Sequence, residues 1–303
     1  MKMKIVIAGG SGFIGQKLTS VLLQEGHEII ILSRSAKEGK DNLSFVKWLQ
    51  AGSSPEKDIG FADVFINLAG ESINDGRWTA THKKQIYESR MTATDELLRI
   101  ISELPKKPSV LVNASAIGIY PASESAVYTE KSTEVADDFL AKTVQDWEQK
   151  ATSVNSENIR AVFMRFGVVL GNEEGALPLM SLPYKLFVGG TVGSGKQWMS
   201  WVHIDDLVRA IVFVIHNEKL NGPVNVSSPS PKRMKDFGQT IGTVLHRPHW
   251  LPVPSIAMQL VLGNKSELVL KGQQVIPKVL HDAHFEFSYP TLEAALKNLL
   301  IES

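Results

Sequence analysis

Three glycines, Gly9, Gly12 and Gly15, follow the apolar run Ile5-Val6-Ile7-Ala8, with Phe13 and Ile14 filling the last interval. The stretch 16–24 then carries Leu18, Val21, Leu22 and Leu23 at helical spacing. Glycines at a strand-to-helix turn let the backbone approach a pyrophosphate and let helix and strand pack closely. The helix N-terminus adds free N–H groups and the positive end of its dipole. A plain tight turn is the ligand-free alternative, but the strand before and helix after favour nucleotide binding. The next strand, Glu28–Ser33, runs into Ser33-Arg34-Ser35 with no Asp or Glu. Proteins that take NAD commonly place an acid there for the ribose hydroxyls, whereas an arginine accommodates a 2′-phosphate. The planar fork of Arg34, with the hydroxyl of Ser33, therefore predicts NADP(H); an exposed surface arginine is the alternative. Later, Asn67-Leu68-Ala69-Gly70 offers Leu68 and the small residues Ala69 and Gly70, against which adenine and ribose could lie, unless it is only a strand-to-loop turn.

Other combinations imitate chemistry. The stretch Gly190-Thr191-Val192-Gly193-Ser194-Gly195-Lys196-Gln197 nearly spells a phosphate loop, but Gln197 stands where Ser or Thr is required and a β-like run follows instead of a helix. It reads better as part of a lid over a substrate pocket. His246/His249 and His281/His284 are spaced like ligand pairs, yet only Asp282 lies near as a third ligand, so no metal is expected. His203 beside Asp205 and Asp206 suggests a dyad, but its place before a helix argues for a structural or capping role.

The elements that must position these residues alternate between apolar strand-like runs and amphipathic helices. Strands are expected at 64–68, 109–114, Arg160–Phe166 and 224–226, and helices at 83–104, 137–153, 205–216 with Asp205 as N-cap, and Met234–Leu245. The pattern predicts an α/β fold, a Rossmann-type doubly wound parallel sheet with a small, mostly helical C-terminal cap. The domain expectation is a nucleotide-binding domain over 1–240, with a glycine-rich lid insertion at 171–200, and a C-terminal module over 241–303. Thirty-two basic residues balance thirty-two acidic ones, which with no basic stripe argues against nucleic acid. There is no cysteine, which removes thiolate catalysis and disulfides and suits a reducing cytosol. No apolar run approaches the roughly 20 residues that span a bilayer, and the residues before the first strand are too few for a signal peptide. The expectation is a cytoplasmic protein with no membrane partner.

With these motifs in order, the chain resembles the short-chain dehydrogenase/reductase superfamily in its extended branch. The glycine turn, Asn67-Leu68-Ala69-Gly70, Ser115, Arg165 and the segment Trp198-Met199-Ser200-Trp201-Val202-His203-Ile204-Asp205-Asp206 carry the likeness. It resembles more closely the atypical "epimerase family", nucleotide-sugar-epimerase-like proteins with their own C-terminal module. Gly70-Glu71-Ser72-Ile73, Arg165-Phe166-Gly167-Val168-Val169-Leu170-Gly171, Lys271-Gly272-Gln273-Gln274-Val275-Ile276-Pro277-Lys278 and Tyr289-Pro290-Thr291-Leu292 carry that match, over nearly the whole chain. The resemblance implies that Val169 lies near the nicotinamide and that Ser115 orients a substrate. It also implies homodimerisation through the helices at 83–104 and 137–153.

One departure matters. The superfamily's acid/base is a tyrosine with a lysine four residues later, which lowers the phenol pKa from about 10 towards working pH. Tyr87, Tyr120, Tyr128, Tyr184 and Tyr289 are followed at that distance by Met91, Glu124, Ser132, Val188 and Glu293, so the pair is absent. Ser115, Tyr120 and Glu71 are the catalytic candidates in its place, although they equally suit a strand end, a half-buried loop tyrosine and a helix cap. Arg90, on the helix beside the cofactor turn, could reach a phosphate or ribose, or simply face solvent. Two functions follow: an NADP(H)-binding oxidoreductase or epimerase acting by hydride transfer on a small polar carbonyl or alcohol, or an NADP(H)-binding regulatory protein without turnover, a redox sensor tied to a partner such as the division machinery.

Overall fold

Seven strands form one parallel sheet: β1 (Lys4–Ala8), β2 (Glu28–Ser33), β3 (Leu43–Lys47), β4 (Val64–Asn67), β5 (Val110–Ala116), β6 (Arg160–Phe166) and β7 (Gly222–Val226), in the order β3-β2-β1-β4-β5-β6-β7. The computed structural model describes residues 2–35 and 37–302. The chain starts mid-sheet at β1, works outward to β3, and crosses back to β4. That reversal opens a crevice at the C-terminal ends of β1 and β4, where such sheets bind ligands.

Alternation along the strands fills two layers. Ile5, Ile7, Ile29, Ile31, Val64 and Ile66 face Leu18 and Leu22 of α1 (Phe13–Gln24). Val6, Ala8, Ile30, Leu32 and Phe65 face Leu97, Ile100 and Ile101 of α2 (Ala80–Glu103), and α3 (Phe139–Ala151) packs beside α2. After β6 come α4 (Leu177–Lys185), α5 (Ile204–His216) and α6 (Met234–Leu245). Phe237 and Ile241 of α6 share one continuous core with Leu292, Ala295 and Leu296 of the last helix, so the C-terminal segment is anchored in the same core as the sheet. Among the described residues no helix is long and apolar enough to cross a membrane.

Several bounds differ from the sequence reading. β4 stops at Asn67, leaving Leu68 in the turn, and β5 extends through Ala116, so Ser115 lies inside the strand. The cap of α5 is His203, not Asp205: its Nδ1 accepts from the Asp205 N–H at 3.1 Å, while Asp205 pairs with Lys17 at 2.8 Å. His203 thus takes the capping role that its position before the helix suggested, its buried ring stacked on Tyr289 at 3.8 Å. Gln197 of the false phosphate loop is buried, donating to the Val192 and Val269 carbonyls.

Candidate dinucleotide site

Gly9 leaves β1 with φ +80°, and a Cβ there would lie 2.6 Å from the carbonyl of Leu68. The turns after β1 and β4 therefore touch backbone to backbone, bringing Leu68 and Ala69 against the glycine turn. A Cβ on Gly15 would lie 2.3 Å from the Gly9 oxygen, so that glycine is demanded by the protein's own packing. Gly12 is different. Its φ is an ordinary −84°, and a Cβ would meet only the Gly9 oxygen at 3.5 Å. Nothing within the protein requires glycine there; the open space lies at the N-terminus of α1. That terminus has no side-chain cap and no acid in its first turn. The N–H groups of Phe13, Ile14 and Gly15 have no acceptor among the described residues. Three free donors at a helix N-terminus, beside a glycine whose lack of a side chain the protein's own packing does not require, fit a pyrophosphate.

Ser33 and Arg34 leave β2 alongside this turn, since Leu32 is in register with Ala8. Arg34 is exposed, and its guanidinium has no ion pair or hydrogen bond among the described residues, although Gln50 holds its carbonyl. On the far side, Phe13 lays its ring against Gly171 and Gly175, where a Cβ would come within 2.4 and 3.1 Å of it. Val169 lies in the short strand Val168–Leu170 that leads into this loop, in register with Val202, its carbonyl accepting from Ala176 at 3.2 Å.

The turn after β4 is braced from beneath. Asn67 Nδ2 donates to Thr94 (3.1 Å) and Asn113 (2.7 Å), its Oδ1 accepts from the Ala69 N–H (3.2 Å), and Trp147 closes the group by donating to Thr94 at 2.9 Å. Arg90 lies over Trp147 and donates Nη1 to the carbonyls of Glu71 (3.1 Å) and Ile86 (2.8 Å). Burial lowers its pKa to about 10, against the opposing pull of Glu71. Arg90 thus clamps the Gly70–Glu71 backbone. The Glu71 carboxylate is exposed, caps no helix and accepts no hydrogen bond among the described residues; its N–H donates to Ser89.

Ser115 and Tyr120 are placed elsewhere. Ser115, Arg165 and Asn225 stand in register across β5, β6 and β7, so their side chains share one face. Ser115 Oγ donates to Glu148 of α3 at 2.5 Å. Arg165 grips that carboxylate through Nε (2.8 Å) and Nη2 (2.7 Å) and donates Nη1 to the Tyr120 hydroxyl at 2.8 Å. That hydroxyl lies near Asn225 Oδ1 (2.9 Å) and the Thr129 carbonyl (3.1 Å), between which its single proton is shared. Ser115 is 3% and Tyr120 2% exposed. Burial raises the phenol pKa against the pull of Arg165, the reverse of what a tyrosine base needs. Burial opposes the charge of Arg165, but Glu148 more than compensates and raises its pKa.

Sequence reasoning missed Glu148 and Asn225. The signal for Glu148 was a carboxylate at an inward position of α3, in line with Ala141, Val144 and Ala151. Among the described residues one group with metal-ligand chemistry, Glu25, His27 and His216, lies just before the start of β2, its ligand atoms within 4.8 Å of one another. His27 Nδ1 accepts from the Met3 N–H, which leaves the neutral ring's proton on Nε2, the nitrogen facing Glu25. That arrangement donates and does not ligate.

A doubly wound parallel sheet with a glycine turn feeding an uncapped helix defines a Rossmann-type nucleotide-binding protein. The profile of the NAD dependent epimerase/dehydratase family matches residues 5–227, and the chain belongs to that family; a domain of unknown function, DUF1731, matches 253–299. The chain is 46% identical over 301 residues to the epimerase family protein YfhF of Bacillus subtilis, covering 99% of each. The structure of human epimerase family protein SDR39U1 with NADPH is similar at a TM-score of 0.88 and 35% identity, covering 98% of this chain and 99% of that one. A nucleoside-diphosphate sugar epimerase from Corynebacterium glutamicum is similar at a TM-score of 0.78 and 30% identity, over 99% of this chain and 58% of that one.

Proposed function

We propose that the protein is an NADP(H)-dependent oxidoreductase or epimerase acting on a small polar carbonyl or alcohol. The observation that carries this reading is Arg34: an exposed guanidinium, unpaired among the described residues, just past the end of β2, where no acid competes for the ribose. The NADPH of the human relative's structure supports the same choice. The glycine turn and the first N–H groups of α1 hold the pyrophosphate, Arg34 and Ser33 the 2′-phosphate, Leu68, Ala69 and Gly70 the adenosine, and Val169 the nicotinamide end. When bound, the nicotinamide supplies a two-electron donor or acceptor to substrate carbon.

Of the three acid/base candidates only Glu71 offers an open side chain. Arg90 and Ser89 hold its backbone, and its exposed carboxylate would move a proton or hold a substrate hydroxyl. Ser115 and Tyr120 are instead bonded into a buried group with Glu148 and Arg165. Their sealed hydroxyls, together with the missing Tyr/Lys pair, favour a second reading: a protein that binds NADP(H) and reports it to a partner without turnover. NADPH oxidation against a panel of carbonyl compounds, for the protein and its Glu71→Gln variant, separates the two. Saturable turnover that Glu71→Gln lowers by roughly 100-fold, within the range for one acid/base group, supports the enzyme. NADPH binding with no turnover on any panel member supports the sensor.

A further inference from the structure

Exposed large apolar side chains are concentrated in two segments. Leu179, Leu182, Leu186, Phe187 and Val188 come from α4 and the loop after it; Trp250, Leu251, Ile256 and Leu260 come from 250–251 and from α7 (Ser255–Leu262). Elsewhere among the described residues only Phe61, Val127, Val135 and Ile301 are comparable, and they are scattered. α7 is apolar at most positions, yet none of its described side chains is buried. A monomer rarely leaves so much apolar surface together without an occupant.

The two segments meet at 187–192 and 250–253. The N–H groups of Trp250 and Leu251 both donate to the Gly189 carbonyl, Trp250 Nε1 donates to the Phe187 carbonyl at 2.9 Å, and Val192 bridges Val253 at the entry to α7. The indole donor and these backbone groups are already satisfied, so the strip can lose water without stranding polar atoms. Its charge is one-sided. Residues 176–188 and 246–266 hold Lys185, Arg247 and Lys265 and not one Asp or Glu. Lys185 and Arg247 are exposed, and Arg247 lies over the Phe187 ring at 4.4 Å. Leu179, Trp250, Ile256 and Leu260 are 68–77% exposed, which means they project and do not line a groove. Projecting Trp, Leu and Ile beside the exposed Lys185 and Arg247 match the interface of an anionic bilayer.

We propose that this face docks the protein on anionic membrane surfaces, lying on the bilayer without crossing it. The absence of a spanning run bears on crossing alone and leaves surface docking open. Placed there, the cap rests on lipid; Lys265 also donates to the carbonyls of Asn74 and Gly76, so the docked segment touches the loop that follows the Glu71 turn.

Flotation with vesicles of phosphatidylglycerol mixed with phosphatidylcholine, and of phosphatidylcholine alone, tests the proposal. The full chain is expected to float with the anionic vesicles, less as salt rises, and weakly or not at all with the neutral ones. Each inserted large side chain is worth roughly tenfold or more in affinity, so Ile256→Ser/Leu260→Ser should lower binding by about 100-fold or more. Lys185→Glu/Arg247→Glu should lower it on anionic vesicles alone. All four positions are exposed, so unchanged thermal melting serves as the fold control. No flotation with either vesicle overturns the proposal. So does a dimer in sedimentation that the Ile256/Leu260 variant dissociates, because the occupant is then a second copy. Cofactor titration is independent of both readouts, so failure here leaves the Arg34 assignment standing.

Discussion

Arg34→Ala should erase discrimination between NADPH and NADH and leave the fold untouched. The guanidinium is exposed and unpaired among the described residues, so removing it should change stability by no more than about 0.5 kcal/mol. A charge-assisted hydrogen bond to phosphate is worth about 1.5–3 kcal/mol where water is excluded, while exposed ion pairs fall to about 1 kcal/mol or less. An arginine at the rim lies between these, at about 1–2 kcal/mol, or roughly 5- to 30-fold in affinity. Calorimetric titration of both forms with both dinucleotides measures it. NADPH should weaken by that factor and NADH should not move, because Arg34 has no partner on the unphosphorylated ribose. Arg34→Lys should fall between, keeping the charge and losing the planar fork, and the NADPH advantage should shrink as salt rises. A gap that survives in Arg34→Ala, or tighter binding of NADH by the unaltered protein, refutes the assignment.

The glycine turn gives a paired test. Gly15→Ala forces a Cβ to 2.3 Å from the Gly9 oxygen and should fail to fold or melt far lower, whereas Gly12→Ala meets only an ordinary contact at 3.5 Å and should fold normally with cofactor titration weakened. Equal melting of the two variants would contradict the packing described. Glu148→Ala leaves Arg165 buried without its carboxylate and should cost about 3–5 kcal/mol in urea unfolding; a loss below 1 kcal/mol would show that the pair is solvated. His203 predicts a pH effect. Burial depresses its pKa, against Asp205 and Asp206, and its Nδ1 must stay unprotonated to cap α5 while Nε2–H donates to Asn298. The unfolded chain takes a proton near pH 6.5 and the folded chain resists it until lower pH. Stability is therefore full above about 6.5 and falls as the solution is acidified towards the depressed value. His203→Gln should lose stability at pH 7 and show a shallower acid slope; an unchanged slope would place the titration elsewhere.

Much of the frame was legible because it is local. The glycine turn, the end of β2 and the bounds of α6 each follow from a few adjacent residues whose turn chemistry or periodicity has one reading. The cap of α5 misled for a physical reason. Asp205 is a better intrinsic cap than His203, and only the stacking of the histidine on Tyr289, far along the chain, fixes the ring in the capping position. The different status of Gly12 and Gly15 was not legible at all. Both read as glycine at a turn, and only the distance to Gly9 separates a glycine the protein needs from one the ligand needs.

The limit is sharpest at Ser115 and Tyr120. Position in the chain puts a hydroxyl at the end of β5, but which way it faces depends on pairing with strands some 50 and 110 residues later. That register aligns Ser115 with Arg165 and Asn225, and α3 brings a carboxylate down on the row. Once Arg165 is buried it must be paired, because an unpaired guanidinium there would cost several kcal/mol. Glu148 pairs it, Tyr120 takes a further donor, and Ser115 completes the carboxylate. Each bond that satisfies the arginine removes a hydroxyl from service to a substrate. Stability of the buried charge and availability of the two hydroxyls are thus alternatives here, and the fold has taken the first. In the function proposed here, proton chemistry would fall to the turn after β4, where Arg90 fixes the backbone and the exposed Glu71 carboxylate accepts no hydrogen bond among the described residues.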